Sequence, residues 1–212
     1  MKGLAMPATA QDALALYRSR RAFSTTSEPE GGIHPEPSDG DPAFVVQIHD
    51  ARSMHFDFRL EADGVLKSWA VPKGPSGRPR DKRLASPTED HPLEYRTFEG
   101  VIPEGEYGAG TVIVWDEGTY RNLTTGRDGR DIPLGQALVQ GHASFHLNGR
   151  KLHGDYALTR IREDREGDRE AWLLVKQADR RASSHGAPDP RRARSARTGH
   201  TLRQVAAEAA AR

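Results

Sequence analysis

The sequence predicts a mainly β fold: a small antiparallel β-barrel with a short N-terminal helix and a flexible basic C-terminal tail. Short runs that alternate apolar and polar residues recur from residue 44 to residue 177, the period of half-buried strands. Turn pairs such as Asp63-Gly64 and Asn148-Gly149 separate several of them at hairpin spacing. Helical periodicity is confined to the two ends. The expected organisation is an N-terminal helix and loop arm over 1–43, a β-barrel core over 44–177 and a basic, disordered tail over 178–212.

In chain order, residues 8–21 predict a short helix, with Ala13, Leu14, Leu16 and Tyr17 as its apolar stripe. Residues 24–41 are rich in Ser, Thr, Glu, Gly and Pro and read as a long surface loop. Residues 44–49 and 54–60 predict two strands joined by the turn Asp50-Ala51-Arg52-Ser53, and residues 66–71 a third after Asp63-Gly64. Pro72 to Pro79 interrupts the sheet and begins a basic cluster, Lys73, Arg78, Arg80, Lys82 and Arg83. His91 precedes a proline, which restricts its backbone to an extended form. The glycine-rich stretch 100–110 lacks the lysine and the following helix of a P-loop, so it predicts tight barrel corners and no nucleotide cradle. Strands are predicted at 111–115, 143–147, 151–153, 156–161 and 171–176, with Gly154-Asp155 as a further turn. His142, His146 and His153 fall among these and read as structural. Residues 201–211 predict a terminal helix.

Composition narrows the function classes. The net charge of +1 conceals an asymmetry, since residues 180–212 carry eight Arg against Asp189 and Glu208, leaving the body acidic. A cationic tail on an acidic body suits sequence-independent contact with nucleic-acid phosphates, and equally suits a merely solubilising segment. A mean hydropathy of −0.74 with 35% hydrophobic residues suggests that part of the length is unpacked. The absence of cysteine excludes disulfides and thiolate metal sites, so any metal must be held by His and carboxylate. With no apolar run of bilayer length and no long apolar segment after Met1, a cytoplasmic protein with no membrane partner is expected.

The hairpin 44–60 holds the candidate chemistry. Met54, Phe56, Phe58 and Leu60 share one parity, and His55, Asp57 and Arg59 share the other. Closing the hairpin brings His49 beside His55 and Asp57, a set of two imidazoles and one carboxylate suited to Mn²⁺, Zn²⁺ or Fe²⁺. A guanidinium cannot ligate a metal, so Arg59 suits an anion held by the same metal, phosphate above all. The plainer alternative is a solvated strand face with an Asp–Arg pair and two incidental histidines.

Longer motifs then converge. Residues 46–60, Trp69-Ala70-Val71-Pro72-Lys73-Gly74-Pro75, Glu89-Asp90-His91-Pro92-Leu93-Glu94-Tyr95 and residues 98–111 closely resemble, in order, the 3′-phosphoesterase domain of bacterial DNA ligase D. The resemblance covers about residues 17 to 177. It implies a Mn²⁺-dependent β-barrel hydrolase, with Co²⁺ or Zn²⁺ as substitutes, that heals 3′ ends in end-joining repair. The implied substrate is a DNA primer–template, from which a 3′-terminal ribonucleoside and then the 3′-phosphate are removed to leave a 3′-hydroxyl. Separate ligase, polymerase or Ku-type proteins are the implied partners. By position, His49, His55 and Asp57 match the metal ligands, Arg59 and His91 match residues that engage the phosphate, and Tyr95, Lys73, Gln47 and Arg83 match positions around the same site. Arg21 and Glu28 match positions linked to ribonucleoside removal. The family commonly has Arg-Asp-Phe where this chain has Arg21-Ala22-Phe23; one acidic partner fewer predicts strong phosphate removal and weak ribonucleoside removal. The alternative from another class is a catalytically weak nucleic-acid-binding repair accessory module.

Overall fold

The alternation between residues 44 and 60 becomes two paired strands in the computed structural model, which describes residues 13–32, 40–163 and 169–211. Strand β1 (Ala43–Asp50) lies antiparallel to β2 (His55–Ala62), with His49 opposite His55 and Gln47 opposite Asp57. Strand β3 (Val65–Val71) follows across Asp63 and Gly64, both at positive φ, 53° and 76°. That pair of left-handed residues is what a two-residue hairpin loop between right-twisted strands demands. Next come β4 (Lys82–Pro87), a 3-10 helix (Leu93–Thr97), β5 (Gly100–Ile102) and the long β6 (Gly110–Asn122). The short helix α2 (Leu134–Val139) precedes β7 (His142–Gly149), β8 (His153–Arg162) and β9 (Ala171–Lys176). Helices α1 (Ala15–Ser19) and α3 (Leu202–Ala210) stand at the two ends.

The sheet runs β1-β2-β3-β4-β9-β8-β7-β6, and β6 pairs back to β1, so eight strands close a barrel with β5 added outside on β6. Closure leaves these eight strands without a free edge. All eight send one parity into a single interior core, including Phe44, Phe58, Trp69, Ile113, Phe145, Tyr156 and Trp172. On the β1–β2 wall the other parity is also buried, because Leu14, Tyr17, Tyr95, Phe98 and Ile102 form a second apolar layer over Val45, Val112 and Val114. The face carrying Gln47, His49, Asp57 and Arg59 is therefore roofed, with these four side chains buried between barrel wall and outer layer.

Several expectations need correction. The helix predicted over 8–21 is seen as α1, and residues 8–12 lie outside the described residues, as do 33–39 of the predicted loop. Residues 151–153 are not a separate strand: β7 and β8 pair directly, Asn148 opposite His153, and Gly154 sits inside β8 at φ 88°. Its missing side chain admits Asp179 and Arg181, which a Cβ there would strike. Strand β4, hidden by its charges, pairs Arg83 with Leu174 and Ala85 with Trp172.

The largest correction is the tail. Residues 178–211 lie along the barrel, and Ala193, Leu202 and Val205 join the interior core. The Ala196 amide donates to the Val114 carbonyl, Arg197 pairs with Glu117 at 2.6 Å, and Thr198 donates to Glu99 at 2.9 Å. Thr201 caps α3 reciprocally with Gln204, the S/T-x-x-E/Q device that satisfies two free amides. The strap begins at Asp179, which accepts from the fully buried Lys176 ammonium at 2.6 Å. Among the described residues no helix is long and apolar enough to cross a membrane.

Candidate active site

His49 and His55 face each other across the last β1–β2 pair, ring centroids 4.9 Å apart. Asp57 completes the cluster: one carboxylate oxygen is 3.7 Å from His49 Nδ1 and the other 3.6 Å from His55 Nε2. All three offer a ligand atom within 4.8 Å of one another, close to the roughly 4.4 Å that two opposed bonds of about 2.2 Å reach, so side-chain shifts of a few tenths of an ångström bring them onto one ion. The tautomers suit that use. His49 Nε2 donates to the Gly108 carbonyl at 2.8 Å, and His55 Nδ1 donates to the Ser53 carbonyl at 2.8 Å. A carbonyl accepts only, so each ring keeps its proton on the outer nitrogen and turns a lone pair toward Asp57. This is how outer partners fix metal-ligating imidazoles. A borderline divalent ion such as Mn²⁺ or Zn²⁺ fits this donor set.

Arg59 is buried beside the cluster. Its Nη2 lies 3.2 Å from Asp57, Nε donates to Gln47 Oε1 and Nη1 to Ser68 Oγ, both at 2.8 Å. Gln47 in turn donates to the Tyr95 and Phe98 carbonyls, so the guanidinium is held through the sheet to the 3-10 helix. The Tyr95 ring lies 5.0 Å from the Arg59 guanidinium carbon, and its hydroxyl donates to Glu28 at 2.9 Å. Glu28 also pairs with Arg21 at 2.9 Å, and Arg21 pairs with Glu89 at 3.1 Å and stacks on Tyr17 at 3.8 Å. Arg21 thus has two carboxylate partners, Glu28 and Glu89, without any acid at position 22.

Charge follows from these contacts. Burial alone would raise the Asp57 pKa, but Arg59 and the two histidines hold it well below the usual carboxylate range. For His55, burial is outweighed by Asp57 and the pKa is raised. His91 behaves oppositely: burial, then Arg59 and Arg21, push its imidazole well below 6.5. Its Nδ1 lies 2.8 Å from the Glu89 carbonyl and 2.9 Å from Arg59 Nη1, while Nε2 is 3.4 Å from Arg21 Nη2. Burial and then Glu28 push the Tyr95 hydroxyl well up, so it stays protonated. A stability test follows. Below pH 6.5 the unfolded chain protonates His91 and the folded chain resists, so the contribution of neutral His91 is present above that pH and lost as pH falls. Urea unfolding between about pH 7.5 and 5.5 is expected to show a shallower loss of stability in His91→Gln than in the unaltered chain, the difference being at most about 1.4 kcal/mol per pH unit. Parallel curves would contradict it.

The pocket over the cluster is lined by Arg21, His49, His55, Asp57, Arg59, His91 and Tyr95, with Glu89, Tyr107, Gly108, Ala51, Thr88 and Ile102. Gln47 and Glu28 lie buried directly behind it. Lys73 and Arg83 are not brought in: Lys73 is exposed outside the lining, and Arg83 is turned to Asp81 at 2.8 Å, beside Gly186. Sequence reading missed Glu89 and Tyr107. Glu89 could have been found, because it shares parity with His91 in an extended segment. Tyr107 carried no such signal, since a loop has no period.

A family described as "DNA Ligase D 3'-phosphoesterase domain" matches residues 47–160. The chain is 50% identical over 171 residues to "Multifunctional non-homologous end joining protein LigD" of Pseudomonas aeruginosa, covering 81% of this chain and 19% of that protein. It is 47% identical over 173 residues to "Multifunctional non-homologous end joining DNA repair protein LigD" of Mycobacterium tuberculosis (80% and 21%), and 40% identical over 174 residues to the LigD of Mycolicibacterium smegmatis (80% and 21%). It therefore spans about a fifth of the length of the curated relatives it matches. With the family match over more than half its length, this chain belongs to the DNA ligase D 3′-phosphoesterase domain family.

Proposed function

We propose that this chain is a divalent-metal phosphoesterase, using Mn²⁺ with Co²⁺ or Zn²⁺ as substitutes, that heals DNA 3′ ends for end joining. It would remove a 3′-terminal ribonucleoside and then the 3′-phosphate from a primer–template, leaving a 3′-hydroxyl for separate ligase and polymerase activities, with Ku-type proteins as partners. The observation that carries the proposal is the His49–His55–Asp57 cluster with both ring tautomers preset and the Arg59 guanidinium 3.2 Å from the carboxylate. Charge balance supports it. Arg20, Arg21 and Arg59 are offset by Glu28, Asp57 and Glu89, so affinity for a phosphate dianion needs a cation at the cluster.

A divalent ion held by His49, His55 and Asp57 would supply positive charge to the phosphate and lower the pKa of water. Arg59, its fork fixed by Gln47 and Ser68, neutralises charge on the phosphate oxygens. Water attacks phosphorus as the bond to the leaving oxygen breaks, the 5′-oxygen of the departing ribonucleoside in the first step and the 3′-oxygen of the DNA in the second, and that oxygen leaves with a proton. His91 is neutral in the free site, and an arriving dianion raises its pKa, which equips it to hold and return that proton. Tyr95, protonated and bonded to Glu28, positions the Arg21–Glu28 arm. Lys73 and Arg83, outside the pocket, suit contacts with the DNA backbone farther along the strand.

Incubation with Mn²⁺ and 5′-labelled primer–templates ending in a 3′-phosphate or one ribonucleotide tests the proposal. Conversion to a 3′-hydroxyl is expected; DNA binding without turnover in any divalent metal would overturn it in favour of an accessory module. Phosphate removal is expected to outpace ribonucleoside removal, because the latter must also orient a ribose. Since Arg21 is already doubly paired, Ala22→Asp would act by contacting the sugar. A charge-assisted hydrogen bond of about 1.5–3 kcal/mol corresponds to a gain of roughly tenfold or more in ribonucleoside removal, with phosphate removal unchanged. Equal rates on both ends in the unaltered chain, measured side by side, would contradict this.

A further inference from the structure

The loop between β5 and β6 touches the metal cluster without supplying a ligand. Gly108 sits in it at φ 78°, and its carbonyl takes the His49 Nε2 proton at 2.8 Å. Two ties fix the loop to the N-terminal arm: Tyr107 Oη accepts from Arg20 at 2.7 Å, and Glu106 accepts from Thr25 Oγ1 at 2.6 Å. Among the described residues the other polar group at the ring is the Asp57 carboxylate, 3.7 Å from Nδ1, which by itself favours a proton on that nitrogen, so the Gly108 carbonyl is the contact that holds the proton on Nε2. We propose that Gly108 is a positioning residue whose carbonyl commits His49 to Nδ1 ligation, and that a left-handed residue is needed at 108 to aim it. The inference rests on reading His49, His55 and Asp57 as a metal site.

The physical requirement is specific. Reversing the imidazole tautomer would put a proton on the nitrogen that faces the carboxylate and remove its lone pair from the cluster. Only glycine adopts φ near +80° without cost. A Cβ at 108 would meet nothing nearer than His49 Cε1 at 3.8 Å. The substitution therefore acts by rotating the backbone carbonyl, not by striking the ring. The same loop provides its own control. Gly105 has φ 90° and a Cβ there would meet nothing within 4 Å, so an alanine at 105 carries like strain without touching His49.

The test compares the full chain with Gly108→Ala and Gly105→Ala by two readouts. Nitrogen-15 NMR of the metal-free protein above neutral pH reports the His49 tautomer, and electron paramagnetic resonance titration of free Mn²⁺ reports affinity. The unaltered chain and Gly105→Ala are expected to hold His49 in the Nε2–H form. Gly108→Ala is expected to lose that preference and to bind Mn²⁺ about 10- to 100-fold more weakly, the usual cost of losing an outer partner. An Nδ1–H tautomer in the unaltered chain, or equal Mn²⁺ affinities in the two variants, would overturn the role of Gly108 while leaving the metal site standing. Failure of the unaltered chain to bind Mn²⁺ would overturn both.

Discussion

Replacing Asp57 with Asn is expected to abolish metal-dependent turnover, a loss of at least about a thousand-fold, or roughly 4 kcal/mol of barrier. Asp57 is the one anionic member of the cluster, and its oxygens stand 3.6 and 3.7 Å from the two ring nitrogens. A neutral amide keeps the shape and removes the charge that draws a dication. It also leaves Arg59, buried and 3.2 Å away, without its carboxylate, and a buried charge stripped of its partner costs about 3–5 kcal/mol. His55→Ala separates the two effects, since it removes a ligand and keeps the Asp57–Arg59 pair. It should lose metal affinity and turnover with little loss of stability. Rates of 3′-phosphate release and thermal unfolding of both variants check this, and undiminished turnover in either would contradict the assigned site.

The second large effect concerns the strap. Truncation after Ala178 is expected to destabilise the barrel severely, not to yield a folded core with a weaker salt dependence of DNA binding. Leu202 and Val205 would leave the core, at about 1.5–3 kcal/mol each. Loss of Asp179 takes the carboxylate from the fully buried Lys176 ammonium and leaves it only the Asp155 and Gln177 carbonyls, adding up to about 3–5 kcal/mol. Together these approach the whole stability of an ordinary domain, about 5–15 kcal/mol. Lys176 and backbone amides outweigh burial and hold the Asp179 pKa down to about 2. The contribution of that carboxylate is therefore present above about pH 3.8 and lost as pH falls toward 2. Asp179→Asn isolates the pair and should lower the melting temperature without removing the strap. A truncated chain that melts like the intact one would refute this description of the strap.

The parity of residues 54–60 revealed both the barrel wall and the clustering of His49, His55, Asp57 and Arg59, because period-2 spacing decides which side chains share a face. It could not reveal what covers that face. The roof of Leu14, Tyr17, Tyr95 and Phe98 comes from segments whose periodicity is short or absent, yet it is what buries Arg59 and shifts His91. Composition misled at the strap: arginine and alanine dominate residues 178–212, while its anchoring rests on a few spaced apolar residues and on single pairs such as Arg197–Glu117. The motif resemblance puts Lys73 and Arg83 at the site, and the fold keeps both outside the pocket. A linear motif records order along the chain, and the turn of Arg83 toward Asp81 is set by the neighbouring Ser76–Asp81 contact, which no spacing rule encodes.

The proposed site places one divalent ion between two imidazoles and a carboxylate on the β1–β2 face. Anomalous diffraction at the manganese edge, from crystals of the full chain grown with Mn²⁺, tests it most directly. One strong peak is expected within about 2.3 Å of His49 Nδ1, His55 Nε2 and an Asp57 oxygen. A peak elsewhere, or none at a saturating concentration, would contradict it.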